Sequence, residues 1–233
     1  MLLSACGAKT QLERTAEYLK TAVPEPGFGS LNGDWIVFGL ARAGADLSEN
    51  YFERYYNAVE AAVQAAGGML DENRYTEYSR LILARQNPDG GWSLGGGASD
   101  PDLTAMALQA LAKYRSRTDV SAAVDAGLSC LSQLQQENGA FLSWDAESSE
   151  AVSQVLVALT ELGLSPDDAR FVKNGQTLED VLLRFAQSDG SFAHTPDGRG
   201  DLLASTQAFY ALAAVQRARE RKTTLYDMSD IAP

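Results

Sequence analysis

The side chains that could carry chemistry stand near the starts of the most apolar segments of this sequence. They combine aromatic rings with carboxylates and hydroxyls, and such a set holds a small ligand when it lines a cavity. The members are Asp34, Trp35, Tyr75, Glu77, Tyr78, Asp102, Thr104, Trp144, Glu150, Thr206 and Tyr210. We expect them to form a ligand-binding cavity, and the sequence assigns a catalytic role to none of them.

Some polar residues at these helix starts have a second interpretation as helix caps. Asp102, Ser149 and Asp201 each stand where an apolar helix is predicted to begin. An N-cap side chain accepts a hydrogen bond from a free backbone N–H, and its negative charge interacts well with the helix dipole. For Asp102 and Asp201, capping is the favoured interpretation over ligand contact.

Glu77 lies between Tyr75 and Tyr78 in a helix that we expect to be largely buried. A buried carboxylate needs a partner, and Arg80 stands three residues further along the same helix. A satisfied buried ion pair and a binding role are therefore equal alternatives for Glu77.

The composition excludes several classes of protein. The 233 residues carry a formal net charge of −12, which disfavours nucleic acid as a partner. Hydrophobic residues make up 45% and charged residues 21% of the chain, as in an ordinary globular protein. The sequence holds no apolar run of about 18 residues that could span a membrane. One histidine and two cysteines are too few for a His-rich metal site or a disulfide framework, so we expect no bound metal.

The N-terminus contains a short match to a bacterial lipobox, in which a cysteine becomes lipidated. The match is Leu3-Ser4-Ala5-Cys6, and only two residues precede it, fewer than a signal peptide requires. The alternative is an ordinary buried or frayed cysteine. We expect a lipid anchor at Cys6 and an extracellular or cell-surface location.

Helical periodicity is nearly continuous, and the predicted helices are of two alternating kinds. Those with one apolar stripe are predicted to be outer helices and cover residues 12–23, 52–63, 120–134 and 178–185. Those that are apolar on nearly all sides are predicted to be inner helices and cover residues 35–43, 103–112, 151–162 and 202–215. This alternation predicts a double-layered helical barrel, with a plain helical bundle as the alternative.

A turn motif with a glutamine, a glycine and an aromatic residue occurs three times, with the aromatics about 50 residues apart. Its members are Gln86, Gly90 and Trp92, then Gln135, Gly139 and Phe141, then Gln187, Gly190 and Phe192. We expect structural roles: glycine permits a positive φ, the aromatic fills the gap between repeats, and glutamine bonds to open backbone groups. The repeat indicates a helix–turn–helix unit.

This repeat resembles that of the prenyltransferase and squalene-cyclase superfamily, whose members fold as α/α toroids. Segments 33–35, 75–80, 99–111, 149–155 and 204–212 more closely resemble the toroid domains of bacterial cell-surface proteins. Those domains are distantly similar to the cobalamin carriers intrinsic factor and transcobalamin. The resemblance covers residues 10–218 and implies an all-α toroid with a cavity at one end. It makes a corrinoid a candidate ligand, whereas no motif specifies any cofactor.

One departure from this family concerns the number of helices. We predict roughly nine helices where a closed ring of six hairpins has twelve. The shortfall falls between Ala84 and Arg85, where two or more helices normally intervene. The ring is therefore smaller, open, or completed by a partner, and an open ring would expose apolar faces. We expect a homodimer.

The motifs of the enzymatic branches of this superfamily are missing or incomplete. Cyclases use an Asp-x-Asp-Asp acid, and the nearest strings, Asp100-Pro101-Asp102 and Ser165-Pro166-Asp167-Asp168, do not fit it. The zinc-binding Asp-x-Cys motif is absent at Cys130, His194 is interpreted as a surface histidine, and a Cys-Gly-Glu-Gln thioester sequence is absent.

We therefore expect a non-enzymatic cell-surface module that binds a small ligand or a surface partner. A terpenoid-cyclase or prenyltransferase type of enzyme with Glu77 or Asp102 as the acid is one alternative, and a purely structural interaction domain is another. Such an enzyme would need an apolar cavity beside a carboxylate of raised pKa. We predict a toroid domain over residues 9–219, with tails at 1–8 and 220–233.

Overall fold

The computed structural model describes residues 2–46, 48–66 and 72–230, with all their side chains except those of residues 2–6, 54, 60–66 and 72–77. Nine α-helices lie in these ranges. They are α1 (Leu2–Ala22), α2 (Leu31–Ala43), α3 (Asn50–Ala66), α4 (Glu72–Leu83), α5 (Pro101–Ala112), α6 (Thr118–Leu134), α7 (Ser149–Glu161), α8 (Leu178–Leu183) and α9 (Leu202–Arg219). The prediction of an all-α fold is confirmed.

Two short antiparallel hairpins lead into the last two long helices. The first joins β1 (Leu142–Ser143) to β2 (Ala146–Glu147) and precedes α7. The second joins β3 (Phe192–Ala193) to β4 (Gly200–Asp201) and precedes α9. Each hairpin therefore fixes the direction in which the following helix begins.

The most apolar helices form an inner layer in which α2, α9, α7 and α5 are neighbours in that order. Helices α7 and α9 are buried over most of their length, as segments without a polar face must be. Outside them, α1 packs on α9 and α8, α6 packs on α5, and α8 packs on α7. The inner and outer assignment of these helices agrees with their sequence pattern. Closure into a complete toroid stays a prediction.

Helix α4 differs from the expectation of a largely buried helix. In its described half, Ser79 is buried, but Tyr78 is 57% exposed, and Arg80 and Leu81 are exposed as well. The expectation is wrong there, because the described half of this helix packs on α5 with one side and leaves these side chains in solvent. No helix in the described part of the chain is both long and apolar enough to cross a membrane.

The N-caps of the inner helices lie next to the residues for which capping was predicted. Asp100 caps α5 and Ser148 caps α7, each accepting a backbone N–H three residues on, at 3.0 and 3.1 Å. The interpretation of Asp102 and Ser149 as caps is therefore wrong by one or two positions. Asp201 does cap α9, with a bond of 2.9 Å. The carboxylate of Asp102 is thus free of a capping role.

The first two repeat turns are built alike. The side-chain amide of Gln86 donates to the carbonyl of Gly90 at 2.8 Å, and that of Gln135 donates to the carbonyl of Gly139 at 3.0 Å. Each amide also donates to a carbonyl of the following repeat, at 2.8 and 3.0 Å. These bonds tie each turn to its neighbour and satisfy backbone groups that the helix ends leave open.

The third turn is completed by the first helix. Gln187 donates to the carbonyl of Phe185 instead of the turn glycine. The carbonyl of Gly190 is bonded from α1, by the Gln11 amide at 3.1 Å and the Thr15 hydroxyl at 2.8 Å. The first helix therefore packs against the third repeat turn.

Gly90 is expected to tolerate no side chain. Its φ is +89°, and a Cβ atom would lie 2.7 Å from the carbonyl oxygen of Ala126 in α6. We predict that Gly90→Ala lowers the free energy of unfolding by at least about 2 kcal/mol, since strain and a backbone clash add. Chemical denaturation measures this, with Gly95→Ala as a control, because Gly95 has open space around it. Equal stability of the two variants would contradict the prediction.

Candidate functional site

A cavity of about 420 Å³ lies between α2, α4, α5, α7 and α9. Its size falls within the range of small-molecule sites in proteins. The apolar lining comes from Trp35, Tyr78, Ile82, Met106, Ala110, Tyr114, Tyr210 and Tyr226. The structure therefore brings three of the predicted site residues, Trp35, Tyr78 and Tyr210, to one cavity.

Aromatic rings pack against one another along one wall of the cavity. Trp35 lies 5.3 Å from Tyr210 between ring centroids and 5.8 Å from Phe38. Phe38 in turn stacks on Tyr226 at 5.7 Å. Such contacts hold the ring faces in fixed orientations. The wall is thus preformed and offers π-faces to a ligand.

A chain of hydrogen bonds satisfies the polar atoms of the lining. The Tyr226 hydroxyl donates to Gln109 at 3.0 Å, and the Gln109 amide donates to the Gln154 side chain at 2.8 Å. The Gln154 amide donates to the Tyr210 hydroxyl at 2.5 Å and to Gln207 at 2.8 Å. These bonds lower the cost of burying polar groups here. The sequence analysis did not predict this network. Its signal is one glutamine in the apolar part of each of α5, α7 and α9, namely Gln109, Gln154 and Gln207.

Asp102 occupies the same face of α5 as the cavity residue Met106, one helical turn earlier. The side chain is half-buried, and burial, followed by the nearby charge of Asp100, raises its pKa to about 6. The charge of Glu150 raises the pKa further, while a hydrogen bond with Ser143 opposes the shift. A carboxylic acid with a pKa near 6 keeps a protonated fraction near neutral pH and can donate its proton.

Glu150 connects this acid to the solvent side of the site. Its carboxylate lies 2.8 Å from Nδ1 of His194 and accepts hydrogen bonds from Ser148 and Ser149 at 3.1 and 3.2 Å. The His194 side chain is 52% exposed, whereas that of Glu150 is 12% exposed. His194 is exposed, as expected of a surface histidine, and it also pairs with a carboxylate near Asp102.

Three other predicted site residues serve the fold. The Asp34 carboxylate accepts bonds from the Gly29 backbone at 2.9 Å and the Tyr55 hydroxyl at 3.0 Å. Thr104 is buried and accepts a bond from the backbone N–H of Trp92 at 2.9 Å. Thr206, also buried, donates to a carbonyl of its own helix. These partners already satisfy the three side chains.

The remaining predicted residues lie in solvent or outside the described residues. Trp144 is 95% exposed at the tip of the β1–β2 hairpin, with a φ of 51°. The side chains of Tyr75, Glu77 and Cys6 lie outside the described residues. Arg80, the suggested partner of Glu77, is exposed.

No protein-family model matches this chain. The chain is similar to the drimenyl diphosphate synthase of Streptomyces showdoensis, with 30% identity over 149 residues. The match covers 61% of this chain but 27% of the synthase, so the chain spans little more than a quarter of that curated protein's length.

The similarity corrects the expected function. A non-enzymatic cell-surface module is wrong, because the similar curated protein is a terpenoid synthase. The resemblance to the terpenoid-cyclase superfamily is confirmed at the level of this distant similarity. The likeness to cobalamin carriers, a corrinoid ligand, the lipid anchor at Cys6, the surface location and the homodimer stay predictions.

Proposed function

We propose that this chain is part of a terpenoid-cyclase type of enzyme that acts on a prenyl diphosphate, with Asp102 as the general acid. The observation that carries the proposal is a half-buried carboxyl with a pKa raised to about 6, one helical turn before Met106 in the lining of an apolar, aromatic cavity. Both features are what such an acid requires, and the distant similarity to a drimenyl diphosphate synthase supports the same class.

In the proposed reaction, Asp102 protonates a carbon–carbon double bond of the prenyl chain. The π-electrons form the new C–H bond, and the adjacent carbon becomes a cation, which the next double bond attacks to close a ring. Loss of a proton from the last cation gives a product with the same composition as the substrate. The diphosphate stays bonded to the prenyl chain throughout. The name of the similar synthase likewise denotes a product that carries a diphosphate.

The aromatic wall would stabilise the cations. The side chains of Trp35, Tyr210 and Tyr226 line the cavity, and an aromatic ring whose face is turned to a cation attracts it with about 0.5–2 kcal/mol. Burial raises the pKa of the Tyr210 hydroxyl, so this ring stays a neutral phenol. Few polar atoms of the lining are left to quench a cation, because the glutamine side chains bond to one another and to the tyrosine hydroxyls.

The Glu150–His194 pair would return a proton to Asp102 after each turnover. The charge of Glu150 raises the pKa of Asp102 and that of His194 lowers it, and the imidazole is half-exposed to solvent. Ser143, which bonds to the Asp102 carboxyl, holds that group in place.

The pH dependence of turnover follows from the pKa of Asp102. The acid must be protonated to react, so we predict that kcat/KM falls as the pH rises through about 6. Asp100→Asn removes a negative charge that favours the protonated form of Asp102. The fall in kcat/KM should therefore move to lower pH in this variant. A pH profile that is flat across this range, or unchanged in Asp100→Asn, would contradict the assignment.

The proposal itself is tested by incubating the protein with geranyl, farnesyl and geranylgeranyl diphosphate. We expect a cyclic product that retains the diphosphate, identified by mass spectrometry before and after treatment with a phosphatase. Absence of any product, together with absence of binding by calorimetry, would refute the proposed function.

A further inference from the structure

The segment that follows α9 is fastened to the helices by two buried arginines. Arg42 in α2 is 3% exposed and Arg217 in α9 is 7% exposed. Both bind the carboxylate of Asp230, at 2.9 and 2.6 Å. These arginines hold the pKa of Asp230 far below its usual range, so the carboxylate of Asp230 stays charged at any ordinary pH. We name residues 223–230 the C-terminal strap.

The strap is held along its length and not only at its end. Arg42 also donates to the carbonyls of Thr224 and Asp227, at 2.6 and 2.9 Å. Leu225 is fully buried, and the backbone N–H of Tyr226 donates to the carboxylate of Glu161 at 3.1 Å. The backbone on either side of Tyr226 is therefore fixed.

The strap crosses the inner helices near their C-terminal ends, whereas the acid stands near the helix starts. Its contacts are with residues in the later parts of α2, α7 and α9, whereas Asp102 and Glu150 stand in the first turns of α5 and α7. The Tyr226 hydroxyl bonds to Gln109, which is about 10 Å along α5 from Asp102 at 1.5 Å per residue. Tyr226 thus stands in the cavity wall well beyond the acid, and the lining continues past it to Lys113 and Tyr114.

We propose that Tyr226, presented by the strap, sets the length of the prenyl chain that the cavity accepts. This inference rests on the proposed function. A chain whose reacting double bond is at Asp102 extends toward the ring of Tyr226, which is stacked on Phe38 and cannot turn aside without losing that contact. The ring would therefore narrow the cavity where a longer chain has to pass, in the way that pocket size discriminates between substrates that differ by methylene groups.

The test uses Tyr226→Ala, Tyr226→Trp and Tyr226→Phe with geranyl, farnesyl and geranylgeranyl diphosphate, which share a head group and differ in chain length. We expect Tyr226→Ala to raise kcat/KM for the longer chain relative to the shorter one by about tenfold or more. Tyr226→Trp should shift the ratio the other way, and Tyr226→Phe should keep the order of the wild type. Calorimetric affinities for the same compounds give a readout that does not depend on turnover.

The outcomes separate the two proposals. If the wild type binds and converts prenyl diphosphates but the order of chain lengths is the same in Tyr226→Ala and Tyr226→Trp, the inference about Tyr226 is overturned and the proposed function stands. If the wild type neither binds nor converts any of the three, both are overturned. Thermal melting checks that each variant is folded, and the Trp variant decides if the Ala variant is not.

Discussion

Asp102→Asn is expected to lower kcat for a prenyl diphosphate by about a hundred- to ten-thousand-fold, while its affinity for the substrate changes by no more than a few-fold. The asparagine keeps the shape of the side chain but has no acidic proton, and a positioned general acid contributes a factor of this size. Initial rates and calorimetric binding on the same preparation measure the two effects separately.

The matched control is Asp100→Asn, two residues earlier on the same helix start. Asp100 caps α5, and asparagine is as good an N-cap as aspartate, so the fold should be unaffected. Asp100→Asn should therefore retain turnover at a pH below the pKa of Asp102, whereas Asp102→Asn should have lost turnover at every pH. Equal activity of the two variants would exclude Asp102 as the acid.

Arg219→Ala is expected to lower the free energy of unfolding by about 3 kcal/mol. The guanidinium of Arg219 bonds both carboxylate oxygens of Glu179, which is 1% exposed. Breaking such a pair leaves a buried charge without a partner, at a cost of about 3–5 kcal/mol. We expect the lower end because Arg219 is partly exposed and a cavity of about 160 Å³ adjoins Glu179, so water can reach the carboxylate. Urea denaturation provides the measurement.

Two variants separate this effect from a general loss of charge. Arg170→Ala breaks a more exposed pair with Asp168 and should cost no more than about 1 kcal/mol. The double variant Glu179→Leu with Arg219→Ala should recover part of the loss, because no buried charge remains. If Arg219→Ala were no less stable than Arg170→Ala, the buried pair would not be important for stability.

Much of the fold follows from patterns that extend over a whole helix. Helices α7 and α9 are apolar on nearly every side and are the most completely buried, and the spacing of the turn glycines shows up as repeated turns of positive φ. Single-residue assignments were weaker. The cap of α5 is Asp100 and not Asp102, since a shift of one or two residues hardly alters an apolar pattern. The hydrogen bond from Gln11 to Gly190 joins α1 to a turn 179 residues later, and no local pattern encodes that contact.

The candidate site was predicted in its residue types but not in its roles. Asp102 and Glu150 were in the predicted set, yet the raised pKa of Asp102 arises from burial and from charges on other elements. His194 reaches Glu150 across 44 residues of sequence, so a search for adjacent ligands could not find the pair. Tyr226 lies in a segment that looks like a polar tail, and the arginines that hold it resemble ordinary basic residues near helix ends.

We expected a non-enzymatic module because the chain lacks the complete Asp-x-Asp-Asp, zinc-binding and thioester motifs. Physical chemistry asks less of the sequence, because a single carboxyl acts as an acid when its surroundings favour the protonated form. Burial and the charge of Asp100 provide those surroundings for Asp102 without a further aspartate next to it.

The central claim is that a proton from Asp102 starts the reaction and that the diphosphate is not released. It is tested most directly by turnover of farnesyl diphosphate in D₂O, with mass spectrometry of the product and an assay for free diphosphate. The account predicts a cyclic product that has gained a deuterium atom from solvent and still carries its diphosphate. A product without solvent deuterium, or stoichiometric release of free diphosphate, would contradict it.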